Sequence, residues 1–344
     1  MRILVFLMMI FLMACGSDDP IVEVTNKYDD GVFVVNQGNF GNGTGTLTFY
    51  DRDTSLIQDV YQLENDGNVL GNVAQSMTIV DDIAFIAINN MATVEVVNAD
   101  DFKSMASISG INQPRNIVSG NNGRIYVSAW GDTGFNGAIH VVNLSNFTVE
   151  SSIPLKNGPE DMEVIGNIIY VSQSGGFGRG NMVYLFDTDL DQVVDSIEVA
   201  DNVYGLERDE NGDIWALSSG FTDFTGATES TDGGLTRISD SSKNLELTLP
   251  NGAGNLVIDR DRETLYYSVA GNVYAHNITD DVISETSIYE GNIFSMGVDP
   301  DTGFIHIADA KDFSSRGEVI VIDVNGNEQD RYGAGIIPGN FTFR

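Results

Sequence analysis

The sequence has few cysteines, histidines and basic residues, and each shortage excludes a class of protein. A single cysteine, Cys15, excludes an intramolecular disulfide. Only 17 basic residues stand against 50 acidic ones, and a formal net charge of −33 repels phosphate, so nucleic-acid binding is excluded. The three histidines all fall within segments that we predict to be strands. Nucleophilic or zinc chemistry that depends on histidine therefore lacks candidates.

Long apolar runs are also missing, except for one at the N-terminus. Residues 1–15 are almost entirely apolar, carry one basic residue, Arg2, and are too short to span a bilayer comfortably. This pattern is typical of an export signal. Residues 12–16, Leu-Met-Ala-Cys-Gly, resemble a bacterial lipobox, in which Cys15 is lipidated and becomes the mature N-terminus. The alternative is an ordinary secretory signal with an incidental cysteine.

The residues after the cysteine indicate where the protein is sent. Ser17-Asp18-Asp19 resembles the acidic tag that directs some outer-membrane lipoproteins to the cell surface. We therefore expect a lipoprotein signal peptide at residues 1–14 and a lipidated tether at residues 15–30. The predicted location is the outer membrane, reached through the lipid anchor only, with the protein exposed at the cell surface.

Internal repeats decide the fold. Seven segments recur every 40 to 50 residues, and each contains a small or Asx residue followed by an apolar one. We call these small residues the small column: Ser76, Asn116, Asp161, Gly205, Asn255, Ser295 and Asn340. A second strand follows in each repeat, with an aromatic column that reads Phe33, Phe85, Tyr126, Tyr170, Trp215, Tyr266 and, as an exception, His306.

Each repeat then continues with a third strand that ends on Asx or Ser, and with a fourth strand. Thirty-seven glycines and abundant β-branched and aromatic residues agree with many short strands and turns. Four strands in each of seven repeats predict an all-β, seven-bladed β-propeller at residues 31–344. The first blade lacks an inner strand before Val32, and a repeat match lies at residues 337–343. We therefore expect the C-terminal strand to close the ring.

The loops on one face of this propeller are distinctive. The connections between second and third strands are long, rich in glycine, and carry single aromatic residues. These are Phe40, Trp130, Phe135, Phe177, Phe221 and Phe313. Aromatic side chains on glycine-rich loops indicate a ligand platform, on which flat rings stack. The alternative is that each ring folds back as a small core of its own loop.

A column just inside the same face varies from blade to blade. It reads Gln75, Arg115, Glu160, Tyr204, Gly254, Phe294 and Gly339. Such variation on a repeated scaffold is typical of a recognition ring, although drift at solvated strand ends would look similar. We expect polar contacts to a ligand from Gln75, Arg115, Glu160 and Tyr204, and from Asn255 of the next column.

Catalytic and metal sites are weakly indicated. Glu160 and Asp161 could serve acid–base chemistry, but adjacent residues of a strand point to opposite faces, so we expect them not to converge. Five carboxylates follow the ligand spacing of a calcium loop: Asp187, Asp189, Asp191, Asp195 and Glu198. That loop requires glycine at its sixth position, where this chain has Gln192, and its flanks are predicted strands. We expect no metal, cofactor or enzyme activity.

The repeat rhythm resembles that of YVTN/YncE-type seven-bladed propellers. Third strands end in Val-Val-Asn or Leu-Phe-Asp, and blades open with Pro-Arg-Asn or Pro-Glu-Asp. The lipobox, the acidic tag and the opening strand Gly-Val-Phe-Val-Val-Asn-Gln-Gly look like the surface-lipoprotein branch DUF5074, which includes BtuG-like proteins. The resemblance implies capture of a cobamide (vitamin B12) on the loop-rich face and an outer-membrane transporter as partner.

The leading hypothesis is a non-catalytic, surface-anchored protein that captures a cobalamin-like ligand. Two alternatives stay open. One is a propeller lactonase or lyase, which would need carboxylate, arginine and water to converge at the channel mouth. The other is a protein-interaction scaffold at the cell surface.

Overall fold

The computed structural model describes residues 27–52, 55–120 and 122–344. Within them, seven antiparallel sheets of four strands each form the blades of a propeller, which confirms the predicted fold. The predicted signal peptide, the predicted lipidation site Cys15 and most of the predicted tether lie outside the described residues. No helix in the described part of the chain has the length and apolar character needed to cross a membrane.

Blades 1 to 4 occupy the first half of the chain. Blade 1 contains β1 (Gly31–Asn36), β2 (Thr46–Asp51), β3 (Leu56–Ile57) and the C-terminal strand β28 (Pro338–Phe343). Blade 2 contains β4 (Ala74–Val80), β5 (Ile83–Ile88), β6 (Thr93–Asn98) and β7 (Ser104–Ser109). Blade 3 contains β8 (Pro114–Ser119), β9 (Arg124–Ala129), β10 (Ala138–Asn143) and β11 (Thr148–Pro154). Blade 4 contains β12 (Pro159–Ile165), β13 (Ile168–Gln173), β14 (Met182–Asp187) and β15 (Gln192–Glu198).

Blades 5 to 7 follow the same order from inner to outer strand. Blade 5 contains β16 (Val203–Arg208), β17 (Ile214–Ser218), β18 (Gly233–Ser239) and β19 (Ser242–Leu249). Blade 6 contains β20 (Gly254–Ile258), β21 (Thr264–Val269), β22 (Asn272–Asn277) and β23 (Ser287–Glu290). Blade 7 contains β24 (Ser295–Val298), β25 (Ile305–Asp309), β26 (Arg316–Ile322) and β27 (Glu328–Ile336). The helices are α1 (Val60–Glu64) and a 3-10 turn (Asn89–Met91).

The ring closes as the sequence predicts. β28 is the inner strand of blade 1 and pairs antiparallel with β1, so that Phe341 lies opposite Val34. Gly31 and Arg344 exchange two backbone hydrogen bonds beyond that pairing. Tyr28, which the sequence analysis assigns to the tether, is fully buried and packs edge-on against Phe49. The packed part of the chain therefore includes Tyr28.

The hydrophobic core lies between neighbouring blades. The aromatic column supplies much of it, because Phe33, Phe85, Tyr126 and Trp215 are all fully buried. Burying each such side chain contributes roughly 1.5–3 kcal/mol. Since each blade packs its face on the next, the inner strands are held at fixed spacing around a central channel.

The small column ties the inner strands to one another. The Ser76 hydroxyl donates to the Arg115 carbonyl of the next blade at 2.6 Å. The Asn116 amide donates to Asp161 at 2.7 Å, and Asp161 in turn accepts the backbone N–H of Leu206 at 2.8 Å. The side chains of this column therefore act between blades 2, 3, 4 and 5, which explains why they are short and polar.

Candidate functional site

The central channel contains two chambers. The upper chamber, of about 450 Å³, opens on the face that carries the loops between second and third strands. The lower chamber, of about 550 Å³, lies towards the opposite face. Both are lined by Asn116, Asp161, Leu256, Met296 and Asn340, so these residues form the waist between them.

The structure brings the predicted polar residues together. Each inner strand begins at the loop-rich face, and its first residues therefore surround the upper mouth. The upper chamber is lined by all five predicted polar residues: Gln75, Arg115, Glu160, Tyr204 and Asn255. Phe294 and Gly339, which belong to the column that varies from blade to blade, line the upper chamber as well.

Three of these residues bind one another. The Arg115 guanidinium donates to Glu160 Oε1 through Nε at 2.9 Å and through a terminal nitrogen at 2.6 Å. Its other terminal nitrogen donates to Gln75 Oε1 at 2.8 Å. The same guanidinium lies 4.3 Å from the ring centroid of Trp130, and the indole N–H donates to Glu160 Oε2 at 2.7 Å. The Ser174 hydroxyl donates to that second oxygen at 3.1 Å.

In this network the charge and the hydrogen-bonding capacity of Glu160 are already taken up by neighbouring side chains. Both carboxylate oxygens of Glu160 already accept hydrogen bonds, and its charge is balanced by Arg115 at the wall of the chamber. Paired and hydrogen-bonded charges of this kind are held rigidly. The wall therefore offers a preformed polar surface with little net charge.

The expectation that Glu160 and Asp161 diverge is wrong, because both line the upper chamber. The pairing of β12 with β13 shifts register between Pro159 and Met162. The two acidic residues together oppose Ser172, which is the arrangement of a β-bulge, and a bulge interrupts the alternation of side chains. Burial raises the pKa of Asp161 to about 7, against the lowering effect of the backbone N–H groups that it accepts.

Two further carboxyls with raised pKa values line the lower chamber. Burial raises the pKa of Glu163 to about 6, and it raises the pKa of Glu207 well above its usual value, with the charge of Glu163 contributing. Arg262 lies in the same lining and opposes both shifts. Sequence analysis missed these residues, although both stand two positions after the small column.

The aromatic residues of blades 3 and 4 form one unit, which we call the blade 3–4 aromatic group: Trp130, Phe135 and Phe177. Phe177 is 63% exposed and lies edge-on to Trp130, with ring centroids 5.6 Å apart. A Cβ at Gly134 would come within 2.5 Å of the Phe177 ring, and one at Gly178 within 2.7 Å of Phe135. The loop glycines are therefore the surfaces on which the neighbouring rings rest.

The other predicted aromatic residues lie further around the mouth. Phe40 is 78% exposed, and Phe313 is exposed but packs edge-on against Phe294 at 5.7 Å. Phe221 lies beneath the guanidinium of Arg179, 5.4 Å from the ring centroid. The rings are thus neither all free nor all folded into cores. Sequence analysis missed Phe224, which is 94% exposed in the same loop as Phe221.

The calcium-like spacing falls on the hairpin between β14 and β15. Asp187 caps its turn by accepting the backbone N–H of Asp189 at 2.8 Å. Asp191 forms an ion pair with Arg124 at 2.7 Å. The described residues contain no group of three or more His, Cys, Asp or Glu side chains arranged to hold a metal ion.

Several solved structures share the fold at low sequence identity. Hydrazine synthase from Kuenenia stuttgartiensis is 16% identical with a TM-score of 0.60, covering 78% of this chain and 88% of that chain. A quinonprotein alcohol dehydrogenase-like protein from Bacteroides thetaiotaomicron is 12% identical, with a TM-score of 0.66 and coverage of 92% and 78%. A functionally unknown protein from Desulfotomaculum acetoxidans is 12% identical, with a TM-score of 0.69 and coverage of 92% and 99%. Such identities show the fold alone.

Sequence comparison supplies the family. No curated protein matches the chain. The family described as "Domain of unknown function (DUF5074)" matches residues 30–323, which include strands of all seven blades. The chain therefore belongs to the DUF5074 family.

Proposed function

We propose that this protein is a non-catalytic binding protein, anchored at the cell surface, that captures a cobamide at the loop-rich mouth of its channel and delivers it to an outer-membrane transporter. One observation carries the proposal. A polar chamber of about 450 Å³ is bordered on one face by exposed aromatic side chains on hydrogen-bonded loops.

The chemistry of the mouth suits a large, flat and amide-rich ligand. The chamber is lined by side-chain amides of Gln37, Gln75, Asn116, Asn255 and Asn340. Amides both donate and accept hydrogen bonds, as do the amide side chains of a corrin. The blade 3–4 aromatic group offers flat surfaces for stacking beside that chamber.

The state of the carboxylates supports binding rather than catalysis. Glu160 accepts from Arg115, Trp130 and Ser174, so neither of its oxygens is free to take a proton from a substrate. Asp161 is likewise held by the Asn116 amide and by the backbone of Leu206. The lactonase or lyase alternative would have to break these bonds before acting.

Titration calorimetry of the purified protein with cyanocobalamin tests the proposal. We expect saturable one-to-one binding. Replacing Phe135 and Phe177 together by alanine should weaken it roughly tenfold or more, since exposed anchors of this size contribute above 1 kcal/mol each. Val324→Ala, at an exposed position of the β26–β27 hairpin on the opposite face, serves as the control. Absence of heat and of any change in the cobalamin spectrum would refute the proposal that the ligand is a cobamide.

A second exposed apolar group supports a protein partner. Phe40, Leu63, Val69, Met91 and Phe313 are each more than half exposed and belong to connections between strands of blades 7, 1 and 2, including α1 and the 3-10 turn. Hydrogen bonds connect these loops, because Asn39 donates to the Phe313 carbonyl and Gly41 donates to Asn72. Clustered apolar side chains on a soluble surface are typical of protein contacts.

Replacements in this second apolar group distinguish the ligand-capture function from the scaffold function. Replacing Val69 and Met91 by serine should leave the heat of cyanocobalamin binding unchanged while it weakens association with the transporter. If no cobalamin binds and the same replacements still abolish association with a surface protein, the scaffold function is correct.

A further inference from the structure

A separate apolar cleft lies at the outer edge of the propeller, between blades 5 and 6. Its volume is about 190 Å³, and its walls include Leu249, Pro250, Tyr267, Tyr274 and Ile283. None of these residues lines either chamber of the channel. The cleft is therefore distinct from the proposed cobamide site.

The cleft lies where the outer strand of blade 6 is short. β23 has four residues, and it pairs only with the first half of β22, from Asn272 to Tyr274. The fourth strands of blades 2 to 5 and blade 7 have six to nine residues. In blade 6 irregular chain with turns and bends at residues 278–286 precedes the short β23, and Ile283 from this segment forms one wall.

One residue that borders the cleft, Tyr267, has a buried hydroxyl without a partner in the described part of the chain. Tyr267 is fully buried, and among the described residues its hydroxyl makes no hydrogen bond. Burial raises its pKa well above the usual value, so the hydroxyl keeps its proton and can donate. Its ring stacks on that of Tyr274, with centroids 5.7 Å apart and planes 18° apart. A buried donor without an acceptor destabilises the folded protein, so its retention requires an explanation.

The fold does not require a hydroxyl at this position. The residue after the aromatic column is apolar in each of the other six blades: Val34, Ile86, Val127, Val171, Ala216 and Ile307. Blade 6 alone has a tyrosine there, and blade 6 alone combines it with this cleft. The hydroxyl and the cleft therefore occur together.

We propose that the cleft binds a small, mainly apolar ligand that carries one hydrogen-bond acceptor, and that binding uncovers the Tyr267 hydroxyl, which is enclosed in the free protein and then donates to that acceptor. An apolar cavity of about 150 Å³ is large enough for benzene, so a volume of about 190 Å³ fits one ring with a short substituent. The walls supply apolar contact, and the hydroxyl selects ligands with an oxygen or nitrogen acceptor. This inference does not depend on the cobamide proposal.

The test compares two probes of similar shape, acetophenone and ethylbenzene, by NMR titration of the purified protein. We expect saturable shifts of residues around the cleft with both probes and tighter binding of acetophenone. Tyr267→Phe should weaken the binding of acetophenone roughly three- to tenfold, because one hydrogen bond is lost, and should leave the binding of ethylbenzene unchanged. Equal binding of acetophenone to both proteins, or no saturable shift at the cleft, overturns the proposal.

Two further measurements distinguish ligand binding from a structural role. Because Tyr267→Phe removes an unpaired hydroxyl, the thermal midpoint of the free protein should not fall. A fall would show that the hydroxyl serves the fold, which overturns the proposal. Ile283→Trp, which fills the cleft from an incompletely buried position, should abolish the shifts caused by both probes without changing cyanocobalamin binding.

Discussion

Replacing Glu163 by glutamine should make the protein more stable at neutral and alkaline pH. Glu163 and Glu207 lie on the neighbouring inner strands β12 and β16 and line the lower chamber. Burial raises the pKa of Glu163 from 4.5 to about 6, and the arginines Arg208 and Arg262 offset only part of this effect. Glutamine keeps the shape of the side chain and removes the charge.

The pKa gives both the sign and the size of the effect. The folded protein holds the proton of Glu163 more tightly than the unfolded chain does. This contribution to stability is fully present below pH 4.5 and is lost as the pH rises to about 6. A pKa that rises from 4.5 to about 6 corresponds to about 2 kcal/mol. Glu163→Gln should therefore match the wild type at pH 4 and exceed its stability by about 2 kcal/mol at pH 8.

Urea unfolding at several values between pH 4 and pH 8, followed by tryptophan fluorescence, measures this difference. Carboxyls far from Glu163 titrate alike in both proteins, so their effects cancel in the comparison. The Glu163 charge helps to raise the pKa of Glu207 and of Asp161, so its removal relieves both groups and adds to the gain of the variant at high pH. Glu210→Gln, in the exposed turn between β16 and β17, is the matched control and should show no such change with pH. A stability difference that is the same at all pH values, or a less stable variant at pH 8, would refute the reasoning.

Two further substitutions test how the blades are joined. At Gly326 a Cβ would lie 1.7 Å from the Ile288 carbonyl oxygen and φ is +83°, so Gly326→Ala should lower the free energy of unfolding by about 3 kcal/mol or more. Gly303→Ala, where φ is +74° and no atom lies within 4 Å, should lower it by only about 1 kcal/mol; equal losses in urea unfolding would contradict the steric argument. Ser76→Ala removes the bond to the Arg115 carbonyl and should lower the free energy of unfolding by about 1 kcal/mol, whereas an unchanged urea midpoint would show that this bond contributes nothing.

The fold was predictable because the repeat constrains it seven times. One blade gives an ambiguous pattern of short strands, but columns such as Phe33, Phe85 and Tyr126 recur at the same place in each repeat. The closing strand followed from the same logic, since blade 1 lacked an inner strand and residues 337–343 matched one. These arguments depend on burial and spacing, which a sequence records directly.

The geometry of the site was less predictable, since it depends on departures from regular pairing. Alternation placed Glu160 and Asp161 on opposite faces, whereas with the bulge both line the upper chamber, and Asp161 also lines the lower one. The pairing of inner and second strands shifts register at the corresponding place in blade 2, between Ala74 and Ser76, and in blade 5, between Val203 and Gly205. The bulge is thus a property of the repeated scaffold.

The sequence also could not show which predicted residues bind each other. Arg115 and Glu160 were both expected to contact a ligand, but the structure pairs them at 2.6 Å, with Trp130 beneath the guanidinium. Such pairing depends on side-chain reach between blades, which column alignment does not contain. We therefore expect Arg115 and Glu160 to make the wall of the upper chamber rigid as well as to offer polar atoms to a ligand.

The inner strands divide structural and binding roles between adjacent columns. Ser76 and Asn116 of the small column hold the next blade, so any change there disturbs the ring. The column before it carries Arg115 or Tyr204, which face the upper chamber and vary between blades. Asn255 departs from this division, because its φ is +58° and its amide donates to Ser268 of its own blade at 2.9 Å. Asn116 and Asn340 line the chamber as well, but their side chains also bond to the next blade. Because the Asn255 amide bonds within its own blade instead, replacing Asn255 should affect ligand binding more than stability.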